Sequence, residues 1–194
     1  MSEYQYLDRV FEAIGPGRPD RPAVTDWGPV EDLLGAGLPE DFKRIIETYG
    51  PAMIDEHLML FHPGTELFNL KDHVSSRIEA LKSTDWGDIT FRGAAPAGGG
   101  PDDLIPVIST DRRESAFLVR AEAGGGWNVV GFAFDGGFTE FRMGFSEWLY
   151  QYLLGEDVFG PGTGMPRRGA VKIQDLPRAR GEGVVERRGP ARAK

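Results

Sequence analysis

The chain has 194 residues, of which 40% are apolar, so it is long enough for one globular domain with a sizeable core. It contains no cysteine, which excludes disulfides, thiolate nucleophiles and cysteine-ligated zinc and is typical of a reducing compartment. Early charges such as Asp8 and Arg9 argue against a signal peptide, and no stretch approaches the roughly 18 apolar residues of a membrane span. We therefore expect a cytoplasmic protein with no membrane partner.

The net charge of −8 is divided unevenly along the chain. Residues 161–194 carry nine basic and three acidic side chains, a balance of +6, which leaves −14 on residues 1–160. A body this acidic repels phosphate backbones and attracts basic proteins. We therefore expect no nucleic-acid partner for the body. The basic residues of the last segment either contact nucleic acid or fold back onto the acidic body.

Two helices are predicted at the start of the chain. Apolar residues at helical spacing indicate an amphipathic helix over 3–14, and Gly15 ends it. After a polar linker, Asp26 is placed to cap a short helix that ends at Gly35.

The third predicted helix gives the strongest local pattern. Pro39 suits the first helical position, and Phe42 and Tyr49 lie on one apolar face. Gly50 followed by Pro51 ends the helix, and we expect Gly50 to adopt a left-handed conformation there.

The middle of the chain alternates between elements. A short apolar run over 57–62 predicts a strand buried on both faces, and residues 69–83 return to helical spacing. Residues 93–103 are too rich in glycine and proline for regular structure and are predicted to form a loop.

Four strands and a helix follow this loop. The strands are predicted at 104–110, 115–122, 127–134 and 138–143. Their short, turn-forming connections favour antiparallel hairpins. Ser146 is placed to cap the final helix. This order predicts an α+β fold: a single domain with a mostly antiparallel sheet, formed as a meander, and helices packed on one face.

We divide the chain into three parts. Residues 1–25 form an N-terminal helix and linker, residues 26–156 form the domain, and residues 157–194 form a basic tail rich in Pro, Gly and Arg. Because the tail shows no apolar period, we expect it to be flexible and dispensable for folding.

The three histidines do not form a metal site in this interpretation. His57 and His62 are five residues apart, which on a strand directs their side chains to opposite faces. His73 lies on a different predicted element. No spacing typical of zinc ligands supplies a partner, so we expect neither a metal nor a cofactor.

No strong catalytic pattern is present either. The chain lacks GxSxG, and its glycine-rich segments lead into acids or a strand instead of the helix that a phosphate loop requires. We therefore expect no catalytic residues. An enzyme whose site is assembled from scattered acids and histidines is kept as the least favoured hypothesis.

Five acids are predicted to contact a protein partner. Asp55 and Glu56 are adjacent, as are Asp102 and Asp103, and all four lie with Asp135 on predicted loops beside the sheet. Adjacent acids on loops are usually solvated charge, but together they suit an acidic recognition surface for a basic partner.

Residues 27–64 resemble the N-terminal signature of the SUKH superfamily. That signature is a short helix started by Trp, then Leu-Pro and an acid before an aromatic, a helix ending in Tyr-Gly, and an apolar strand ending near proline. In this chain the matching residues are Trp27, Leu38, Pro39, Asp41, Phe42, Tyr49, Gly50, Leu58, Leu60, Phe61 and Pro63. The segments 105–110 and 145–155 resemble the later part of the family pattern.

The resemblance implies an α+β fold and, for bacterial members, an immunity protein that binds and silences a toxin, often a nuclease, of a polymorphic toxin system. Fungal relatives are interaction hubs in cell-wall signalling. The family supplies no catalytic residues. The motif residues Trp27, Leu38, Pro39, Phe42, Tyr49 and Gly50 have a structural reading, as packing groups and helix ends. The leading hypothesis is an immunity protein with a basic toxin as partner, and the alternative is an intracellular interaction or regulatory module without a toxin.

Overall fold

The computed structural model describes residues 3–19, 24–93, 104–122, 125–133, 137–165 and 168–191, with the backbone alone for residues 3 and 4. The helices in these residues are α1 Glu3–Ile14, α2 Gly28–Leu34, α3 Glu40–Tyr49, α4 Leu70–Ser83 and α5 Phe145–Leu154. The strands are β1 Ala52–Ile54, β2 Leu58–Leu60, β3 Ile105–Thr110, β4 Ser115–Arg120, β5 Trp127–Ala133, β6 Gly137–Phe141, β7 Ala170–Asp175 and β8 Val185–Ala191.

The strands form one antiparallel sheet in the order β6-β5-β4-β3-β2-β1-β7-β8. From β2 to β6 each strand pairs with the one before it, so the predicted meander and α+β fold are confirmed. The run over 57–62 forms a shorter strand than expected, since β2 covers three residues and Met59 is only partly buried. The hairpin partner β1 was not predicted.

The prediction of a flexible tail is wrong for residues 170–191. β7 pairs with β1 in register from Ala52 opposite Asp175 to Ile54 opposite Ile173, and β8 pairs with β7. Val171 and Ile173 alternate with polar residues and are buried in the core. The alternation of buried and exposed residues extends over only six residues, and Pro, Gly and Arg are frequent around it. The composition of the segment therefore does not indicate a strand.

The larger hydrophobic core lies between one face of the sheet and a helix layer, by which we mean α1, α2, α3 and α5. Leu70, Val74 and Ile78 of α4 also belong to this core. Leu7, Val10 and Ile14 occupy one side of α1 and are buried in this core. Helix α5 contacts both α1 and α3 and contributes Trp148 and Tyr152, which are almost fully buried. The amphipathic period predicted for these helices therefore corresponds to the face that each one buries.

The opposite face of the sheet carries a smaller cluster. Along β4 the side chains alternate, so Ala116 and Leu118 belong to the larger core while Phe117 and Val119 belong to the smaller one. The end of α4 and Trp86, which follows it, pack on this smaller cluster. The second face is therefore covered by less chain than the first.

Four predicted helix ends differ from the structure. Trp27, and not Asp26, is the N-cap of α2, and Pro39 is the N-cap of α3 instead of its first helical residue. Gly50 has φ −72° and ψ 152°, so the expected left-handed conformation is wrong. Its role is close packing, because a Cβ there would lie 2.9 Å from Ile46 O and 3.0 Å from Phe61 O. Ser146 does not cap α5, which begins one residue earlier; its backbone N–H instead donates to Asp41 Oδ2 at 2.7 Å. The buried Asp41 of α3 thus supplies the acceptor at the start of α5.

Candidate functional site

The predicted partner-binding acids fall into two groups. Asp55 and Glu56 form the β1–β2 turn with φ 52° and 57°. Asp55 Oδ1 accepts from the backbone N–H of Lys172 at 3.0 Å, and Glu56 Oε2 lies 3.4 Å from Lys172 Nζ. These two acids hold the turn against β7, and their binding of a partner stays a prediction. Asp102, Asp103 and Asp135 lie outside the described residues.

Part of the basic C-terminal segment lies against the body, which is one of the two alternatives left open by the sequence. Arg180 Nε is 3.2 Å from Glu66 Oε1. Arg187 is bidentate to Asp175, at 2.8 and 3.0 Å, and also donates to Pro16 O. These contacts place positive charge on the β1–β7 side of the molecule.

The helix layer keeps an acidic outer surface. Its four helices contain nine acidic residues and three basic ones, a balance of −6. Asp41 is buried, whereas Asp8, Glu12, Asp32 and Glu40 are exposed. One internal pair, Glu31 with Lys43, neutralises a single acid. Glu47 and Glu147 are partly exposed.

A groove of about 520 Å³ lies where the helix layer meets β5 and the segment after β6. We call it the acidic groove, defined by Tyr6, Pro39, Glu40, Trp127, Met143 and Glu147. Arg142 is a further lining residue. The groove combines two carboxylates with two aromatic rings, both of which are partly exposed.

The aromatic rings of the acidic groove are already engaged by charged neighbours. A hydrogen bond with Glu147, together with partial burial and the negative charge of that carboxylate, raises the pKa of the Tyr6 phenol. The guanidinium of Arg120 lies 4.0 Å from the centroid of the Trp127 ring. Arg120 thus occupies one face of the Trp127 ring. Carboxylates and the remaining ring faces are the two kinds of group in the groove that bind a Lys or Arg side chain.

A buried polar network surrounds His57. Its Nδ1 is 3.0 Å from the Tyr152 hydroxyl, and its Nε2 is 3.0 Å from Glu114 Oε2 and 3.5 Å from Asp111 Oδ1. The Nε2 contact with Glu114 is close enough for an ion pair but is not aligned as a hydrogen bond. Burial raises the pKa of Glu114, but the contact with His57, the charge of His57 and the Thr110 hydroxyl outweigh it, so this pKa is lowered.

This network contains the residue types of an acid–base pair, but a substrate could not reach them. His57, Glu114 and Tyr152 are each at least 90% buried. A general base must come within hydrogen-bond reach of the proton that it removes, which this burial opposes. The network favours a structural role, in which it joins the β1–β2 turn, the β3–β4 hairpin and α5.

Two further features of the described residues concern their helices and their acidic and histidine side chains. None of the helices there combines the length and apolar character that crossing a membrane requires. Within the same residues, no group of three or more His, Asp and Glu side chains is arranged to hold a metal ion.

Sequence reasoning did not find the acidic groove. Tyr6, Trp127 and Glu147 come from distant parts of the chain, and only the fold brings them together. The one local signal is that Tyr6 precedes the buried Leu7 on α1 and therefore lies off its apolar face.

No family model matches the chain, no curated protein is similar to it, and no solved structure matches its fold. The resemblance to the SUKH superfamily thus stays a prediction from the motif residues.

Proposed function

We propose that this protein acts in the cytoplasm by binding a basic protein to the outer surface of its helix layer, with the acidic groove at the centre of the contact. The observation that carries the proposal is the balance of −6 on the four helices beside a groove with two partly exposed aromatic rings. The motif resemblance adds that the partner is a toxin domain, such as a nuclease, which binding neutralises.

Charge supports the choice of surface. The ion pairs of Lys172, Arg180 and Arg187 are with Glu56, Glu66 and Asp175, so the basic segment neutralises acids away from the helix layer. The helix layer keeps its own negative charge, which attracts a basic protein over about a Debye length.

Affinity and rate have different sources in this proposal. Complementary charge accelerates association and makes its rate fall with salt. Lasting affinity in protein interfaces is concentrated in a few aromatic and Arg anchors. Tyr6 and Trp127 are the aromatic residues that line the groove, and a Lys or Arg side chain of the partner would lie between them and the carboxylates of Glu40 and Glu147.

The test begins with capture of the partner from the native host and measurement of its association rate at low and physiological ionic strength. We expect the double variant Glu40→Lys with Glu147→Lys to slow association at least about tenfold at low salt. The matched control is Glu79→Lys with Asp88→Lys, which makes the same charge change at exposed positions outside the helix layer. Equal slowing by both variants, an acidic partner, or a rate insensitive to salt would contradict the proposal.

Co-expression separates a toxin partner from the alternative of a general interaction module. If the captured domain is a toxin, its expression stops growth, and this protein restores growth while the Glu40→Lys, Glu147→Lys variant does not. A captured domain that leaves growth unchanged when expressed alone favours the alternative.

A further inference from the structure

A pocket of about 460 Å³ lies on the face of the sheet opposite the helix layer, between α4, Trp86 and the β3–β4 hairpin. We call it the Arg77 pocket, defined by Arg77, Leu81, Trp86, Ser109, Ser115 and Phe132. Leu81, Trp86 and Phe132 give it an apolar wall. Its volume is within the range of about 300–1,000 Å³ that is usual for small-molecule sites.

Arg77 brings a positive charge into this pocket, and no carboxylate of the described residues balances it. Its Nη2 donates to Ser115 Oγ at 2.8 Å, while its Nε has no hydrogen-bond partner among the described residues. None of the acids in the described residues forms an ion pair with it. Burial alone lowers the pKa of this guanidinium, as expected for a cation that lacks a counter-charge.

Among the described residues that line the pocket, the acid is Glu114, and it is engaged elsewhere. Glu114 Oε2 is 3.0 Å from His57 Nε2 and 3.1 Å from the Thr110 hydroxyl. Arg113 also lines the pocket and adds a second positive charge. The described residues that line the pocket therefore keep a positive balance, which a small anion in contact with the guanidinium would neutralise.

We propose that the Arg77 pocket binds a small organic carboxylate, with the guanidinium of Arg77 holding the carboxylate and the apolar wall of Leu81, Trp86 and Phe132 covering an aromatic or aliphatic body. The hydroxyls of Ser109 and Ser115 supply further polar contacts at the charged end. This site is separate from the acidic groove and independent of the proposed protein partner.

The test uses the full chain and two matched probes, phenylacetate and its neutral amide, phenylacetamide. The chain has four tryptophans, so their indole N–H signals report in NMR where a probe binds. We expect saturable binding of phenylacetate with a Kd near or below about 1 mM, a shift of the Trp86 indole signal, and at least about tenfold weaker binding of the amide.

Variants assign the binding to the pocket. Arg77→Gln should weaken phenylacetate binding at least about tenfold, and Ala80→Trp, which fills the pocket wall and leaves Arg77 in place, should abolish it. Arg112→Gln, at an exposed position on the same hairpin, is the matched control and should leave it unchanged. Absence of saturation with phenylacetate, equal affinity for the amide, or binding that survives both pocket variants would overturn the proposal.

Discussion

The two faces of the sheet are built from similar residues but are covered differently. On the helix-covered face Trp148 is 0% exposed, its indole N–H donates to Val158 O at 2.8 Å, and it packs against Phe145 and Phe159. On the opposite face Trp86 also donates to a backbone carbonyl, Leu81 O, but it remains partly exposed.

This difference in coverage assigns different roles to the two faces, stability of the fold to one and access for a ligand to the other. Side chains that are enclosed on all sides contribute both transfer free energy and packing, so the helix-covered face should hold most of the stability of the fold. A face that is only partly covered can admit a ligand without unfolding. We therefore expect changes on the first face to alter stability and changes on the second to alter binding.

Removal of β7 and β8 should have the largest effect on the helix-covered face. Truncation after residue 165 removes the buried Val171 and Ile173 and takes away Leu176 O, which accepts from Arg18 Nη1 at 2.8 Å. We expect loss of the cooperative thermal transition measured by circular dichroism. Truncation after residue 191 is the control and should preserve it. An unchanged melting temperature after the first truncation would show that the strands add no stability.

The two tryptophans test the comparison directly. Trp148→Ala should lower the free energy of unfolding by about 3–5 kcal/mol, because it leaves a cavity in a closed core. Trp86→Ala should lower the free energy of unfolding by about 1–2 kcal/mol, because a partly exposed ring buries less apolar surface. Urea unfolding of both variants gives the two values. Equal losses would mean that the two faces are packed alike.

Acid should lower the stability of the fold through His62. This residue is fully buried and follows Phe61, which belongs to the larger core. Burial, aided by the charges of Arg178 and Arg18, lowers the pKa of His62 from 6.5 to about 4. Between these pH values the unfolded chain binds a proton that the folded chain does not, so the free energy of unfolding falls as pH drops from 6.5 to 4. The loss should be about 2–3 kcal/mol.

His62→Asn isolates this contribution, because the Asn oxygen can replace Nδ1 as the acceptor for the Gly64 N–H. Urea unfolding at pH 7, 6 and 5 should give a flatter pH dependence for the variant than for the parent chain. His73, whose pKa burial lowers to about 3, is retained in both proteins and acts in the same direction. Parallel pH profiles would contradict the assignment to His62.

Gly50→Ala should have a smaller effect on the free energy of unfolding than Trp148→Ala. The added Cβ would approach Ile46 O and Phe61 O at 2.9 and 3.0 Å, so backbone must shift in a tightly packed region. We expect a loss of about 1–2 kcal/mol, measured by urea unfolding. Gly35→Ala is an informative comparison, because Gly35 has φ 63° and open space around it. A cost at Gly35 alone would show that left-handed strain, and not contact, governs glycine positions in this protein.

The sequence predicted those elements whose signals are local. The helix α3 was found because Pro39 and an apolar face at helical spacing lie within one short segment. The strand β8 was missed because it contributes no fully buried side chain to the core, and its pairing with β7 specifies it as a strand. The strand β1 is only three residues long, too short for a period to show.

The sites show the same limit more strongly. The acidic groove and the Arg77 pocket each combine side chains from several elements, so no spacing along the chain encodes them. Sequence reasoning found the acidic character of the body, which composition alone carries. The partner-binding acids were assigned to loops, because adjacent acids in a loop can be recognised from the sequence. A surface shared by several helices cannot be recognised in that way.

The pairing of β1 with β7 has a consequence for synthesis on the ribosome. β1 lies near residue 52 and β7 near residue 173, and β8 contacts α1, so segments made first and last are neighbours in space. Pairings between distant segments form slowly. In a nascent chain that has emerged only to residue 160, β7 is not yet available, so one edge of β1 has no strand to pair with. We expect the sheet to close only after β7 has left the exit tunnel, and a chaperone to protect the open edge until then.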